Sequence, residues 1–76
     1  MTLKSNDIVI YNDDILRTPY LVHSITFVGN KAHSVSLGLT DYPEIEQDFE
    51  TPIEDLIKLS GKELRDARKQ IDLILA

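Results

Sequence analysis

The fold is decided by the stretch PYLVHSITFVGNKAHSVSLGL, residues 19–39, which is the longest apolar-rich run in the chain. Two strand-like segments, residues 20–28 and 32–39, flank the dipeptide Gly29-Asn30, a favoured turn sequence. Because side chains alternate across a strand, each segment has one apolar face. These faces consist of Leu21, His23, Ile25 and Phe27 on the first segment, and of His33, Val35, Leu37 and Leu39 on the second. The sequence therefore predicts a β-hairpin against which the rest of the chain packs.

The register of this hairpin depends on the length of its loop. A two-residue loop at Gly29-Asn30 would place Ile25 opposite Ser34, and the two apolar faces would then not coincide. A three-residue loop, or a bulge in either strand, would place Ile25 opposite Val35 and bring the two histidines together. It would also set Phe27 opposite His33 and His23 opposite Leu37. Burial of a large apolar side chain is worth roughly 1.5–3 kcal/mol, more than a turn preference contributes. We therefore expect the bulged or three-residue version.

Three further segments lie around the hairpin. Residues 7–11, DIVIY, are rich in β-branched side chains and predict the first strand, whereas residues 1–6 are polar and are expected to fray. Residues 12–19 contain turn-forming Asn, Asp and Pro and predict an exposed loop. Residues 44–51 alternate strictly, which predicts a half-buried antiparallel strand. Its carboxylates lie on one side, and the other side carries Ile45, Gln47, Phe49 and Thr51.

Two capping boxes mark the C-terminal part of the chain. Thr51-Pro52-Ile53-Glu54 predicts a short helical turn from residue 52 to about residue 56, after which residues 57–59 either form a fifth strand or prolong the turn. Ser60-Gly61-Lys62-Glu63 predicts a helix over residues 61–75. This helix either packs on the sheet or dimerises through its apolar stripe. The stripe consists of Leu64, Ala67, Ile71, Ile74 and Leu75.

Size and composition limit the classes of protein that the chain can form. Seventy-six residues make a single domain, 1–76, without room for a large enclosed substrate cavity. Cysteine is absent, which fits a reducing compartment. Residues 1–7 lack the apolar core of a signal peptide, and no run approaches the roughly 20 apolar residues that cross a bilayer. We therefore expect a cytoplasmic protein with no membrane partner.

Charge is unevenly distributed along the chain. Thirteen acidic residues against eight basic ones give a net charge of -5. Residues 41–55 hold seven carboxylates and no base, whereas residues 58–69 hold five of the eight bases. The acidic balance argues against nucleic acid as a partner, because nucleic-acid binding gains affinity from Lys and Arg at phosphates.

The predicted elements follow one another as strand, loop, long hairpin, alternating strand, single helical turn and short strand. In this order residues 7–59 resemble the SH3-like small barrels, including the KOW-type and related translation and phage domains. The resemblance implies a mainly β fold, a small barrel of four or five antiparallel strands, with residues 60–76 as a C-terminal α-helix. It also implies a binding module. The likeness is carried by residues 7–11, Val22, Ile25, Gly29-Asn30, residues 32–37 and residues 51–59.

No motif of catalysis, metal binding or phosphate binding stands out. The two histidines lack the spacing of a metal site, and Ser34 and Ser36 lack the Gly-x-Ser-x-Gly elbow of a hydrolase. Asp13-Asp14 lies between a strand and a loop, where such a pair caps a turn. We therefore predict that the protein is not an enzyme and that it holds no cofactor and no metal.

The alternating strand offers the best candidate for a binding site. Its carboxylates Glu44, Glu46, Asp48 and Glu50 would lie about 6.6–6.8 Å apart in a row roughly 20 Å long. Such a row could receive a basic segment of a partner, or it could imitate a phosphate backbone. On a solvated strand face the same charges would instead blunt edge-to-edge aggregation.

The prediction that follows is a non-enzymatic protein-binding or regulatory module, an accessory protein of a bacterium or phage. Tyr42 and the four carboxylates of the row would contact a basic surface of a protein partner. The alternative is a nucleic-acid-binding SH3-like or KOW-type module that uses Arg17, Lys31 and the bases of the helix. The protein itself would be a monomer or a weak homodimer through the C-terminal helix. Head-to-tail pairing of the helix with the acidic strand of another molecule is a further option.

Overall fold

The structure, a computed structural model, describes residues 2–75, without the side chain of Asp48. These residues form a mainly antiparallel β fold with one C-terminal α-helix, as predicted. The sheet order is β4-β3-β2-β1-β5. It is an open sheet with β4 and β5 at its edges, and not the closed barrel that the resemblance implies. The elements are β1 (Ile8–Tyr11), β2 (Tyr20–Val28), β3 (Lys31–Leu39), β4 (Glu46–Pro52), a 3-10 turn (Ile53–Asp55), β5 (Leu56–Lys58) and α1 (Gly61–Leu75).

Strand β1 lies at the centre of the molecule because both faces of the sheet are covered there. Ile8, Val9 and Ile10 are all fully buried. One face carries an apolar cluster of Leu3, Val9, Val22, Val35, Leu37 and Leu56. The opposite face packs on the helix in a second cluster of Ile8, Ile10, Leu21, Leu59, Ala67 and Ile71. A strand buried on both sides needs a continuous apolar run, which is why β1 reads Ile-Val-Ile and does not alternate.

The hairpin satisfies both of the rules that compete for its register. Val28 pairs with Lys31, so the loop is the two-residue Gly29-Asn30, and Gly29 adopts the positive φ of 64° that such turns use. A bulge at His33 then shifts the pairing by one residue. Ile25 therefore lies opposite Val35, as the burial of both apolar faces demands. The bulged version of the prediction is therefore confirmed for Ile25, whereas Phe27 lies opposite Ala32 and not opposite His33.

A second bulge, at His23 in β2, changes which side chains share a face. It sets Val22 opposite Leu37, so the prediction of His23 in that position is wrong. Leu21 consequently packs in the cluster under the helix, whereas Ile25 packs against the cluster on the other face. Strict alternation had placed Leu21 and Ile25 together.

The two bulges also separate the histidines. The His23 ring packs over Gly38, while His33 lines a cavity at the hairpin end with Ile53 and Glu54. His33 and Gly38 are five residues apart on β3, roughly 16 Å along the strand. The prediction that the two histidine side chains lie close together is therefore wrong.

Helix α1 begins and ends where the second capping box and the apolar stripe predict. Ala67 and Ile71 are buried against β1, and Leu64 packs on the same cluster. Ile74 and Leu75, at the end of the stripe, are exposed. The helix is thus part of the core and not an appendage to it. In the part of the chain that the structure describes, no helix is long and apolar enough to cross a membrane.

The N-terminal segment is packed, contrary to the prediction that it frays. Leu3 is buried in the first cluster, and the Asn6 N–H donates to the Val22 carbonyl at 2.8 Å. The Arg68 side chain of the helix donates to the Asn6 carbonyl at 2.6 Å. The buried Leu3 and the hydrogen bonds to β2 and α1 therefore fix a segment whose polar composition suggests mobility.

The first capping box does not form, although its helical turn does. Pro52 and not Thr51 occupies the cap position of the 3-10 turn, and no side chain caps it. Thr51 is buried in β4, where its hydroxyl is hydrogen-bonded to the Tyr11 hydroxyl at 3.0 Å. Residues 56–58 then form the fifth strand, which the sequence had left open.

Candidate binding surface at the β4 edge

The predicted binding residues lie on and just before the edge strand β4. Glu46 and Glu50 belong to the strand, whereas Tyr42 and Glu44 lie in the turn that precedes it. The turn is closed by the Tyr42 N–H donating to the Leu39 carbonyl at 3.2 Å. The backbone of Asp48 belongs to β4, but its side chain lies outside the described part of the structure.

The straight row of four carboxylates does not form, because β4 is irregular. Glu50 pairs with Ser36 and Glu46 pairs with Gly38, so residues 47–49 lie opposite Leu37 alone. Ser36 and Gly38 are about 6.6–6.8 Å apart along β3, whereas four regular strand residues would separate the two glutamates by about 13 Å. The irregularity therefore brings Glu46 and Glu50 closer together than the sequence predicts, and it leaves Glu44 outside the strand.

Glu50 lies over a cluster of hydroxyl groups on the neighbouring strands. Its carboxylate accepts a hydrogen bond from the Thr26 hydroxyl and a second one, at 3.0 Å, from the Ser34 hydroxyl. These two donors, Thr26 first, lower the pKa of Glu50 from its ordinary value. Glu50 therefore keeps its charge in a fixed position on the sheet.

Glu46 is held in the same way by a weaker contact. The Ser24 hydroxyl donates to the Glu46 Oε1 atom at 3.4 Å. The hydroxyl side chains of β2 and β3 thus orient two carboxylates of β4. The sequence of residues 42–50 alone does not predict these hydroxyl partners. The alternating hydroxyls at positions 24, 26, 34 and 36 are the signal in the sequence that could have revealed them.

Exposed apolar side chains accompany these charges. Tyr42 is 62% exposed, Ile45 64% and Phe49 58%. The prediction that the second side of this strand is half-buried holds for Thr51, which packs in the sheet, and for Gln47, but not for Ile45 and Phe49. Ile45 precedes β4, and the irregular pairing at residues 47–49 removes Phe49 from the face that β3 covers.

The outer side of β4 is an open sheet edge. Among residues 2–75, β4 pairs with β3 and with no other strand. An edge strand presents N–H and C=O groups that can bond to another chain. We call the combination of this edge with Tyr42, Glu44, Ile45, Glu46 and Phe49 the β4 surface.

Comparison with protein-family models, with curated proteins and with solved structures finds no match to this chain. The case for a function therefore rests on the geometry of the β4 surface and of its surroundings.

The bases that would support nucleic-acid binding lie on separate elements, and some of them are already paired with carboxylates. Arg17, in the β1–β2 loop, makes a bidentate ion pair with Glu63 of the helix at 2.8 Å. This contact lowers the pKa of Glu63 and raises that of Arg17. Lys58 lies 3.4 Å from Asp7, and Lys31 lies at the hairpin end. Arg17 and Lys58 are thus already paired with carboxylates of the same molecule.

The remaining candidate residues have structural surroundings. Asp14 caps the β1–β2 loop, accepting the Thr18 N–H at 3.0 Å and the Leu16 N–H at 2.9 Å, and these bonds lower its pKa. The Nε2 atom of His23 is buried without a hydrogen-bond partner. Across residues 2–75, side chain of Asp48 aside, no three His, Asp or Glu side chains come together as metal ligands.

Proposed function

We propose that the protein is a non-enzymatic, cytoplasmic binding module of the SH3-like type, which binds a basic surface of a protein partner. The order strand, loop, long hairpin, strand, turn and short strand supports the SH3-like assignment. One observation carries the proposed function: the β4 surface joins an open sheet edge, carboxylates and exposed apolar side chains. Interfaces combine an apolar centre with charges that select the partner.

The chemistry of this surface favours a cationic partner. Residues 41–55 contain no base, so an approaching Lys or Arg side chain meets no repulsion from this segment. The carbonyl groups on the open edge add acceptors for the same donors. Tyr42, Ile45 and Phe49 supply the apolar contact area that a purely ionic surface lacks. The resulting contact should be salt-sensitive, because exposed charges are screened beyond about 10 Å at 0.1 M salt.

The test is a titration of the ¹⁵N-labelled protein with a synthetic peptide of alternating Lys and Val, followed by amide chemical shifts. We expect saturable shifts in residues 42–52 at low salt, and weaker binding as salt is added. The variant Glu44→Lys/Glu46→Lys should lose this binding. Asp13→Lys/Asp66→Lys makes the same change in net charge elsewhere on the surface and should keep it. Equal binding by the two variants would refute the assignment of the β4 surface.

A further inference from the structure

The outer flank of α1 has the opposite character to the β4 surface. A shallow groove of about 510 Å³ runs along it. The groove is lined by Leu64, Arg65, Arg68, Lys69, Asp72 and Leu73. Three bases against one acid make it cationic, and Leu73, which is 71% exposed, makes it partly apolar. We call these six residues the α1 groove.

The α1 groove faces away from the acidic segment of its own molecule. Gln70 of the helix contacts that segment through a hydrogen bond to Asp41. With 3.6 residues per turn, Gln70 lies about 140–160° around the axis of α1 from Arg65 and Arg68. Apart from Asp72, which lines it, the groove is therefore turned away from the acidic segment of residues 41–55 and is accessible to another molecule.

We propose that the β4 surface of one molecule binds the α1 groove of a second copy, so that the protein associates head to tail. This inference rests on the proposed function, because it identifies the basic partner surface as the α1 groove. Charge complementarity is the argument: the β4 surface carries the carboxylates of Glu44 and Glu46, whereas the α1 groove carries the bases Arg65, Arg68 and Lys69. Each surface also offers exposed apolar side chains, Ile45 and Phe49 on one and Leu73 on the other.

A symmetric dimer through the helix is disfavoured by the same charges. Packing two α1 grooves against each other would bring Arg65, Arg68 and Lys69 of one copy against the same residues of the other, and like charges at an interface repel. In the head-to-tail arrangement each copy uses two different patches. Such a contact leaves one free patch at each end, so it extends into a chain or closes into a ring.

Sedimentation of the full chain tests this arrangement, at concentrations up to about 1 mM, the weak end of specific association. We expect association at about 20 mM salt and its loss at about 500 mM salt. Reversal of the β4 surface in Glu44→Lys/Glu46→Lys, or of the groove in Arg65→Glu/Lys69→Glu, should give monomers. An equimolar mixture of the neutral variants Glu44→Gln/Glu46→Gln and Arg65→Gln/Lys69→Gln keeps one intact pair of patches and should form a 1:1 dimer that does not grow. Circular dichroism establishes that each variant is folded.

Three outcomes would overturn the inference. The first is sedimentation of the wild-type protein as a monomer under all conditions. The second is association of the β4 variant to the same extent as the wild type, as in a symmetric helix dimer, and the third is a mixture that stays monomeric. The control Asp13→Lys/Asp66→Lys should associate normally. Binding of the Lys-Val peptide by a protein that stays monomeric would refute only the head-to-tail contact. Absence of both peptide binding and association would refute the proposed function as well.

Discussion

Replacing Gly38 by alanine tests how the edge strand is attached to the sheet. Gly38 pairs with Glu46, the first residue of β4, and the His23 ring of the bulge packs over it. A Cβ atom added at Gly38 would lie 2.7 Å from the Ile45 carbonyl oxygen and would also overlap the imidazole ring. The ring can rotate, but the carbonyl belongs to the backbone that leads into β4. The substitution must therefore displace the start of the edge strand.

The expected cost follows from the size of this overlap. Inserting one methyl group into a closely packed place costs typically about 1–3 kcal/mol when side chains and backbone have to shift. We expect Gly38→Ala to lower the free energy of unfolding by about 2 kcal/mol. For a domain of this size, that corresponds to a fall in Tm of roughly 8–16 °C. Adding His23→Ala should recover only part of the loss, because the Ile45 carbonyl remains in place.

Urea unfolding and amide hydrogen exchange provide the measurement. The matched control is Gly29→Ala: Gly29 has a positive φ of 64° but no neighbouring atom within 4 Å of an added Cβ. Gly29→Ala should lower the free energy of unfolding only by the backbone strain of about 1–2 kcal/mol, and amide hydrogen exchange in β4 should stay unchanged. Gly38→Ala should instead accelerate exchange in residues 46–50. A Gly38→Ala protein with wild-type stability, or with faster exchange confined to the hairpin tip, would refute the described packing.

Two further substitutions test the helix and the β1–β2 loop. Ile71→Ala should lower the free energy of unfolding by about 2–5 kcal/mol, because Ile71 is 2% exposed between α1 and β1. Leu73→Ala, on the exposed flank of the helix, should change the free energy of unfolding by less than about 0.5 kcal/mol. Similar values for the two variants would contradict the orientation of the helix. Asp14→Asn tests the loop through pH: the pKa of Asp14 is lowered in the folded state, so its contribution is complete above the ordinary value of 3.8 and is lost as the pH falls through the lowered folded value. Urea unfolding should therefore show the wild type ahead of Asp14→Asn at pH 6 to 7, with the gap closing in acid, and a gap independent of pH would contradict this account.

The elements were predictable where one local rule applied without competition. The helix combines a capping box with an apolar period, and its bounds, Gly61–Leu75, agree with the sequence. The hairpin required a choice between a turn rule and a burial rule, and the structure satisfies both through the bulge at His33. The second bulge, at His23, has no local signal. It depends on a contact between two strands, in which Val22 and Leu37 are buried opposite each other.

The candidate site was predictable in composition but not in geometry. The residues at positions 42, 44, 46 and 50 lie on one edge of the sheet, as the acidic alternation suggests, and Tyr42 is exposed beside them. The predicted spacing of the carboxylates was wrong, because the regular pairing of β4 with β3 is interrupted at residues 47–49. Contacts between residues far apart in the chain were also beyond local rules, such as the ion pair of Arg17 with Glu63.

One face of the sheet changes from apolar to polar along its width, and this change accounts for the location of the proposed binding surface. Near β1 this face is apolar, with Ile8, Ile10 and Leu21, and α1 covers it. Beyond the bulge at His23 the same face changes to serine, threonine and glutamate, and no helix covers it in the part of the chain described here. A 15-residue helix can bury only the apolar half, since covering hydroxyls and carboxylates with apolar side chains would leave them unsatisfied. The polar half and the adjoining open edge therefore have no helix over them among the described residues, and this is where we propose that a partner binds.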